Sequence, residues 1–78
     1  MNPKSKQKPK DAELVEFGDR LRTLREKAGM TQESLADSAG LHWSYVGQVE
    51  RGERNLTYKS ILSLAHGLDV PAAKLMPR

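Results

Sequence analysis

The sequence predicts an all-α protein, a compact bundle of five short helices, and three observations support this. Where apolar residues are dense they recur at three- and four-residue steps, as on one face of a helix. No segment shows the alternating pattern of a half-buried strand, and there is no internal repeat. Residues 31–52 describe two short helices joined by a tight turn at Gly40, and two helices crossing over such a turn make a helix-turn-helix unit.

The elements follow in order. Residues 1–10 hold Lys4, Lys6, Lys8 and Lys10 with Pro3 and Pro9, and no apolar residue after Met1. They read as a disordered basic tail, either a solubilising extension or an arm that tracks phosphates or a groove. The remainder, 11–78, forms one domain. A first helix is expected over 11–28: Asp11 caps it, and Glu13 and Glu16 suit its positive end. Leu14, Phe17, Leu21, Leu24 and Ala28 form its stripe, and Gly29 stops it. A second helix is expected over 32–38 with Thr31 as N-cap. Leu35, Ala36 and Ala39 lie on its buried side, Ala36 being small where a neighbouring backbone comes close. Gly40 then turns the chain with a positive φ that carries no Cβ penalty. The third helix spans 43–51 with Val46 and Val49 inward, and Gly52 ends it. A loop of residues 52–56 leads to a fourth helix over 57–68, capped by the Thr57 hydroxyl on the N–H of Lys59 or Ser60. Its stripe is Ile61, Leu64, Ala65 and Leu68, with Leu62 beside it. Pro71 suits the first turn of a fifth helix running through Leu75 or Met76.

Size and charge narrow the function. The 78 residues make one small domain, and a chain this short buries only about 60% of its unfolded surface, so dimerisation would help it. Without cysteine, disulfide staples and thiolate metal sites are excluded, which fits an intracellular compartment. His42 and His66 have no partners at metal-ligand spacing, and no cofactor motif is present. No apolar run reaches the ~18–20 residues of a membrane span, and the basic start lacks the apolar segment of a secretory signal. The net charge is +3, but residues 11–78 carry nine Lys and Arg against ten Asp and Glu, a net of −1. Nucleic-acid binding by the folded part must therefore use a local basic face. An enzyme is not expected on the same reading: there is no Cys nucleophile, no plausible Ser-His-acid arrangement, no glycine-rich phosphate loop and no room for a substrate pocket.

Leu24-Arg25, Met30-Thr31-Gln32, Leu35-Ala36, Gly40-Leu41, Tyr45-Val46, Val49-Glu50-Arg51-Gly52, Ile61, Leu64-Ala65 and Leu68 together resemble the Cro/C1-type (Xre family) helix-turn-helix domain, which has the lambda-repressor-like fold. The resemblance covers about residues 17–76. Within the family, residues 50–57 look like the restriction–modification controller proteins, small stand-alone dimeric regulators. The resemblance implies a cytoplasmic, bacterial or phage-type protein associated with the nucleoid. It also implies binding of double-stranded DNA, with the third helix in the major groove.

Residue by residue, the resemblance gives Gln32 a phosphate contact, which the helix N-terminus favours; the alternative is an exposed polar helix start. Trp43, Ser44, Gly47 and Gln48 should face outward, and family position assigns base or groove contact to Trp43, Ser44 and Gln48. Gln48 can pair bidentately with adenine. Trp43 is unusual, since many relatives carry a polar or basic residue there. Its indole would pack on a thymine methyl or sugar, cover the helix start or join an interface. Gly47 lacks a side chain and so permits closer approach. His42 stands where the family has a capping hydroxyl or acid and is a poor cap. It either contacts phosphate, with binding that strengthens as the ring protonates, or is an exposed loop residue. Tyr45 should pack at the core edge with its hydroxyl in reach of a phosphate. Arg51, Arg54 and Asn55 should flank the sugar–phosphate backbone, unless they belong to a solvated loop beside Glu53. Arg25 should pair with Glu50 and fix the third helix on the scaffold.

Helices four and five carry Leu62, Leu68, Val70, Leu75 and Met76, more apolar surface than the domain needs, so a homodimer through this end is expected. It would set two recognition helices about one DNA turn (~34 Å) apart. The function expected is a sequence-specific transcriptional regulator on a pseudo-palindromic operator, occluding or recruiting RNA polymerase. On this reading, replacing Gln48 relaxes specificity at one base pair, and replacing Arg54 weakens all sequences alike. The alternative is a protein-interaction module, antitoxin-like or coactivator-like, on the same fold.

Overall fold

The structure is a computed structural model and describes residues 11–76; the expected tail at 1–10 lies outside the described residues. Helices α1 (Ala12–Lys27), α2 (Gln32–Ala39), α3 (Trp43–Glu50) and α4 (Tyr58–Leu68) are followed by one 3-10 turn, Ala72–Leu75. There is no strand among the described residues.

Local chemistry sets the helix ends. Asp11 Oδ1 accepts from the Glu13 N–H at 2.9 Å. Thr31 and Ser34 cap reciprocally, each backbone N–H donating to the other's hydroxyl at 2.9 and 3.0 Å. Thr57 Oγ1 accepts from the Ser60 N–H at 3.1 Å. Every α-helix ends in the same paired-bond turn, with Gly29, Gly40 and Gly52 in the left-handed region after the first three. After α4 that place belongs to Asp69, at φ 59°. The sequence reading did not anticipate it, although a short acidic side chain tolerates this conformation.

The fifth helix and the end of the α1 stripe differ from expectation. The fifth helix is a single four-residue 3-10 turn. Pro71 and Met76 are extended on either side of it, which leaves room only for i→i+3 bonds, Lys74 N–H to Pro71 O and Met76 N–H to Ala73 O. Burial of Leu75 and a 2.8 Å bond from Arg20 Nε to the Lys74 carbonyl hold this turn against α1. Ala28, expected on the α1 stripe, is instead the exposed C-cap.

The core joins Phe17 and Leu21 of α1, Leu35 and Ala36 of α2, Val46 and Val49 of α3, Leu64, Ala65 and Leu68 of α4, and Leu75. Leu68 and Leu75 thus belong to the protomer's own core and not to a free apolar face. Exposed apolar surface at this end comes from Leu62 and Met76, and from Tyr58, which is 75% exposed. Leu14, Phe17, Leu56, Ile61 and Met76 line an open groove rimmed by Glu13, Glu16 and Asn55.

One contact positions α3 closely. A Cβ on Gly18 of α1 would lie 2.5 Å from the carbonyl oxygens of Val49 and Glu50. The missing side chain lets the end of α3 rest directly on the α1 backbone.

Candidate nucleic-acid interface

The α2–α3 turn fixes the attitude of α3. Gly40, at φ 70°, sends the chain back so that the Leu41 N–H reaches the Ala36 carbonyl at 2.9 Å. Val46, Val49 and Glu50 are then buried, while Trp43 (55% exposed) and Ser44 face solvent and Gln48 is half-buried. Gly47 departs from expectation: it is buried. A Cβ there would sit 3.3 Å from Gln32 Oε1 and from Arg51 Nη1, so these side chains roof the position. Its lack of a side chain gives room to Gln32 and Arg51, not an open approach for a ligand.

Beneath that roof, the Glu50 carboxylate is fully buried and engaged from several sides. Arg25 Nε donates to Oε2 at 2.6 Å and Nη2 to Oε1 at 3.0 Å, the expected bidentate pair. Arg25 Nη1 also donates to the Met30 carbonyl at 2.9 Å, which ties α1, the α1–α2 turn and α3 together. The hydrogen bond to Glu50 raises the Arg25 pKa above its ordinary value, against the lowering effect of burial. Arg22 Nε stands 3.7 Å from Oε1. Gln32 Nε2 donates to Oε1 at 2.9 Å, a link the sequence did not reveal. Its second amide proton is not used in that bond.

At the start of α3, His42 is the N-cap after all: Ser44 N–H donates to its Nδ1 at 3.1 Å. The same nitrogen lies 2.8 Å from Ser44 Oγ, so the hydroxyl is turned back onto the cap. Trp43 stacks on the His42 ring with centroids 5.7 Å apart. Trp43 and His42 also border a shallow groove with Glu33, Asp37 and Leu41. The cap uses Nδ1, which leaves Nε2 as the ring's other polar atom.

On the far side of α3, Arg54 folds back from the following loop. Its Nε donates to Gln48 Oε1 at 2.9 Å, and its guanidinium carbon lies 5.3 Å from the centroid of the Tyr45 ring, which packs at the core edge as expected. The Glu53 N–H donates to the Gln48 carbonyl at 2.9 Å and fixes the path of the loop. Arg51 pairs with Glu53 at 3.2 Å. Asn55, the next residue of the loop, lines the apolar groove together with Glu13 and Glu16.

A recognition-type helix held rigidly on its scaffold, with polar and cationic side chains along its exposed edge, defines a helix-turn-helix DNA-binding protein. Comparison with known proteins agrees. Residues 16–76 match the family model described as a helix-turn-helix domain. Control protein C.SmaI of Serratia marcescens is 40% identical over 80% of this chain and 74% of its own. Control protein C.BamHI of Bacillus amyloliquefaciens is 36% identical over 77% and 75%. The crystal structure of the restriction–modification controller protein C.AhdI from Aeromonas hydrophila superposes with a TM-score of 0.83 at 52% identity, covering 85% of this chain and all of that one. The chain belongs to the helix-turn-helix family of transcriptional regulators that includes these controller proteins. No helix among the described residues is long and apolar enough to cross a membrane.

Proposed function

We propose that this regulator binds a pseudo-palindromic operator as a homodimer, each protomer placing α3 in the major groove. The observation that carries this reading is the sidedness of α3. Val46, Val49 and Glu50 are locked into the scaffold, while Trp43, Ser44 and Gln48 share the exposed side with Arg54. Trp43, Ser44 and Gln48 then meet base edges; Ser44 must first rotate its hydroxyl away from His42. Gln32 offers its second amide proton to a phosphate, alongside His42, Tyr45, Arg51 and Arg54. Asn55, next to Arg54 in the same loop, supplies a further backbone contact. Support for the dimer comes from Tyr58 and Leu62, one helical turn apart on α4, and from Met76, all exposed. Likeness to the controller proteins points to the genes of a restriction–modification system as targets, with RNA polymerase occluded or recruited at the operator and the protein acting in the cytoplasm.

The test is selection of bound sequences from a random DNA pool at near-physiological salt. Two half-sites with centres about one turn (~34 Å) apart are expected. In sedimentation, Leu62→Glu should shift the protein to monomer and abolish enrichment of the paired motif. A pool that stays random would overturn the operator reading and turn attention to a protein partner, with Trp43 the first surface residue to substitute.

A further inference from the structure

We infer that Arg54 is a specificity-determining positioning residue. By holding the side-chain oxygen of Gln48, it makes Gln48 a donor that selects an acceptor edge, guanine O6 or thymine O4, over bidentate pairing with adenine. The inference rests on the docking proposed above.

A glutamine carboxamide has one acceptor end and one donor end, and adenine recognition in the major groove uses both: the oxygen accepts from N6–H and the amide donates to N7. Here the acceptor end is turned to Arg54 Nε at 2.9 Å. The oxygen keeps a second lone pair, but a guanidinium stands against it. That positive charge disfavours the approach of a donor edge, adenine N6 or cytosine N4, and favours an acceptor edge. The amide N–H groups are what Gln48 has left to present.

Two features make this orientation a property of the protein before DNA arrives. The guanidinium is held by the Tyr45 ring as well as by Gln48. The loop carrying it is fixed at the Glu53 N–H to Gln48 carbonyl bond. Arg54 is also exposed, and a guanidinium has five N–H donors, so others remain for a phosphate. One residue thus anchors the backbone and sets the polarity of its neighbour. This differs from the sequence-level expectation that Arg54 acts on all sequences alike.

The experiment compares base preferences of the full chain and of Gln48→Ala, Arg54→Ala and the double variant, by selection and competition binding. Both side chains are at least partly exposed, and melting curves verify that each variant is folded. Gln48→Ala should flatten one position in each half-site, where the unaltered protein prefers guanine or thymine. Arg54→Ala should shift that same position toward adenine, by at least about fivefold, a change of the size one good base contact supplies. It should also lower overall affinity and reduce the salt slope by about one per protomer. The double variant should match Gln48→Ala at that position. If Gln48→Ala flattens a position but Arg54→Ala weakens every sequence equally, the inference is overturned and the docking stands. A preference for adenine at that position in the unaltered protein overturns it too. If Gln48→Ala changes no position, the docking itself fails and the inference falls with it.

Discussion

Gly18 and Gly47 both lie inside helices, and the structure assigns the same substitution opposite effects at the two. Replacing a helix-interior glycine with alanine gains about 1 kcal/mol from backbone entropy. At Gly18 the new Cβ would stand 2.5 Å from the Val49 and Glu50 carbonyl oxygens and 2.8 Å from the Glu50 carbonyl carbon. These are backbone atoms and cannot rotate away, so α1 and α3 must separate by roughly 0.5–1 Å, enough to lose much of the local dispersion energy. The same displacement would stretch the 2.6 Å Arg25–Glu50 bond, which spans the two helices. Overpacking of this kind costs about 1–3 kcal/mol, and loosening a charged hydrogen bond adds about 1–2 kcal/mol. After subtracting the propensity gain, Gly18→Ala should destabilise by about 2 kcal/mol. For a domain of this size that is a fall in Tm of roughly 8–16 °C. At Gly47 the nearest atoms are 3.3 Å away and belong to the ends of the Gln32 and Arg51 side chains, which need give only a few tenths of an ångström, a shift that Gln32 can make without leaving Glu50. Gly47→Ala should therefore be neutral or stabilising, by up to about 1 kcal/mol. Thermal and urea unfolding followed by far-ultraviolet circular dichroism measures both. A Gly18→Ala protein as stable as the parent would refute the close approach of α1 to α3.

Two further substitutions probe the scaffold and the recognition helix. Glu50→Ala strands the Arg25 guanidinium, whose side chain is only 12% exposed, and should cost about 3–5 kcal/mol. That approaches the whole stability of a small domain, so cooperative unfolding should be lost before any specific contact, and an unchanged melting temperature would show the pair to be dispensable. His42→Asn and His42→Asp should both raise Tm, since either is a stronger N-cap than histidine, by about 0.5–1 kcal/mol. Only His42→Asp should weaken DNA binding, because it puts a negative charge at the helix start proposed to face phosphate. Equal affinity for the two variants would place residue 42 away from the DNA.

The parts of this fold legible in the sequence are those set by neighbours along the chain. The caps at Asp11, Thr31 and Thr57, the stop at Gly40 and the inward pair Val46 and Val49 all follow from three- and four-residue spacing. The Arg25–Glu50 pair joins distant residues, and family resemblance supplied it. What was not legible depends on how near two elements come. Gly18 looks like a weak helix position until α3 is laid against it. Leu75 looks like surplus surface until the 3-10 turn places it in the core. Gln48 and Arg54 are separated by a glycine turn, and nothing in their spacing says that one holds the other.

The contacts at Gln32 and Gln48 share a direction: each ties a polar side chain beside the outer edge of α3 back toward the core. Gln32, which is proposed to meet a phosphate, also hydrogen-bonds the buried Glu50 that clamps Arg25. Gln48, which is proposed to meet a base, is turned by Arg54, itself seated on a core-edge tyrosine. In the proposed docking, the donors that Gln32 and Gln48 present to DNA are consequently set by side chains already ordered in the free protein. Less rotamer entropy is then lost on docking, and a mismatched edge finds these groups unable to adapt without breaking an internal bond. Discrimination in such an arrangement comes from the rigidity of α3's surroundings as much as from the residues on its face.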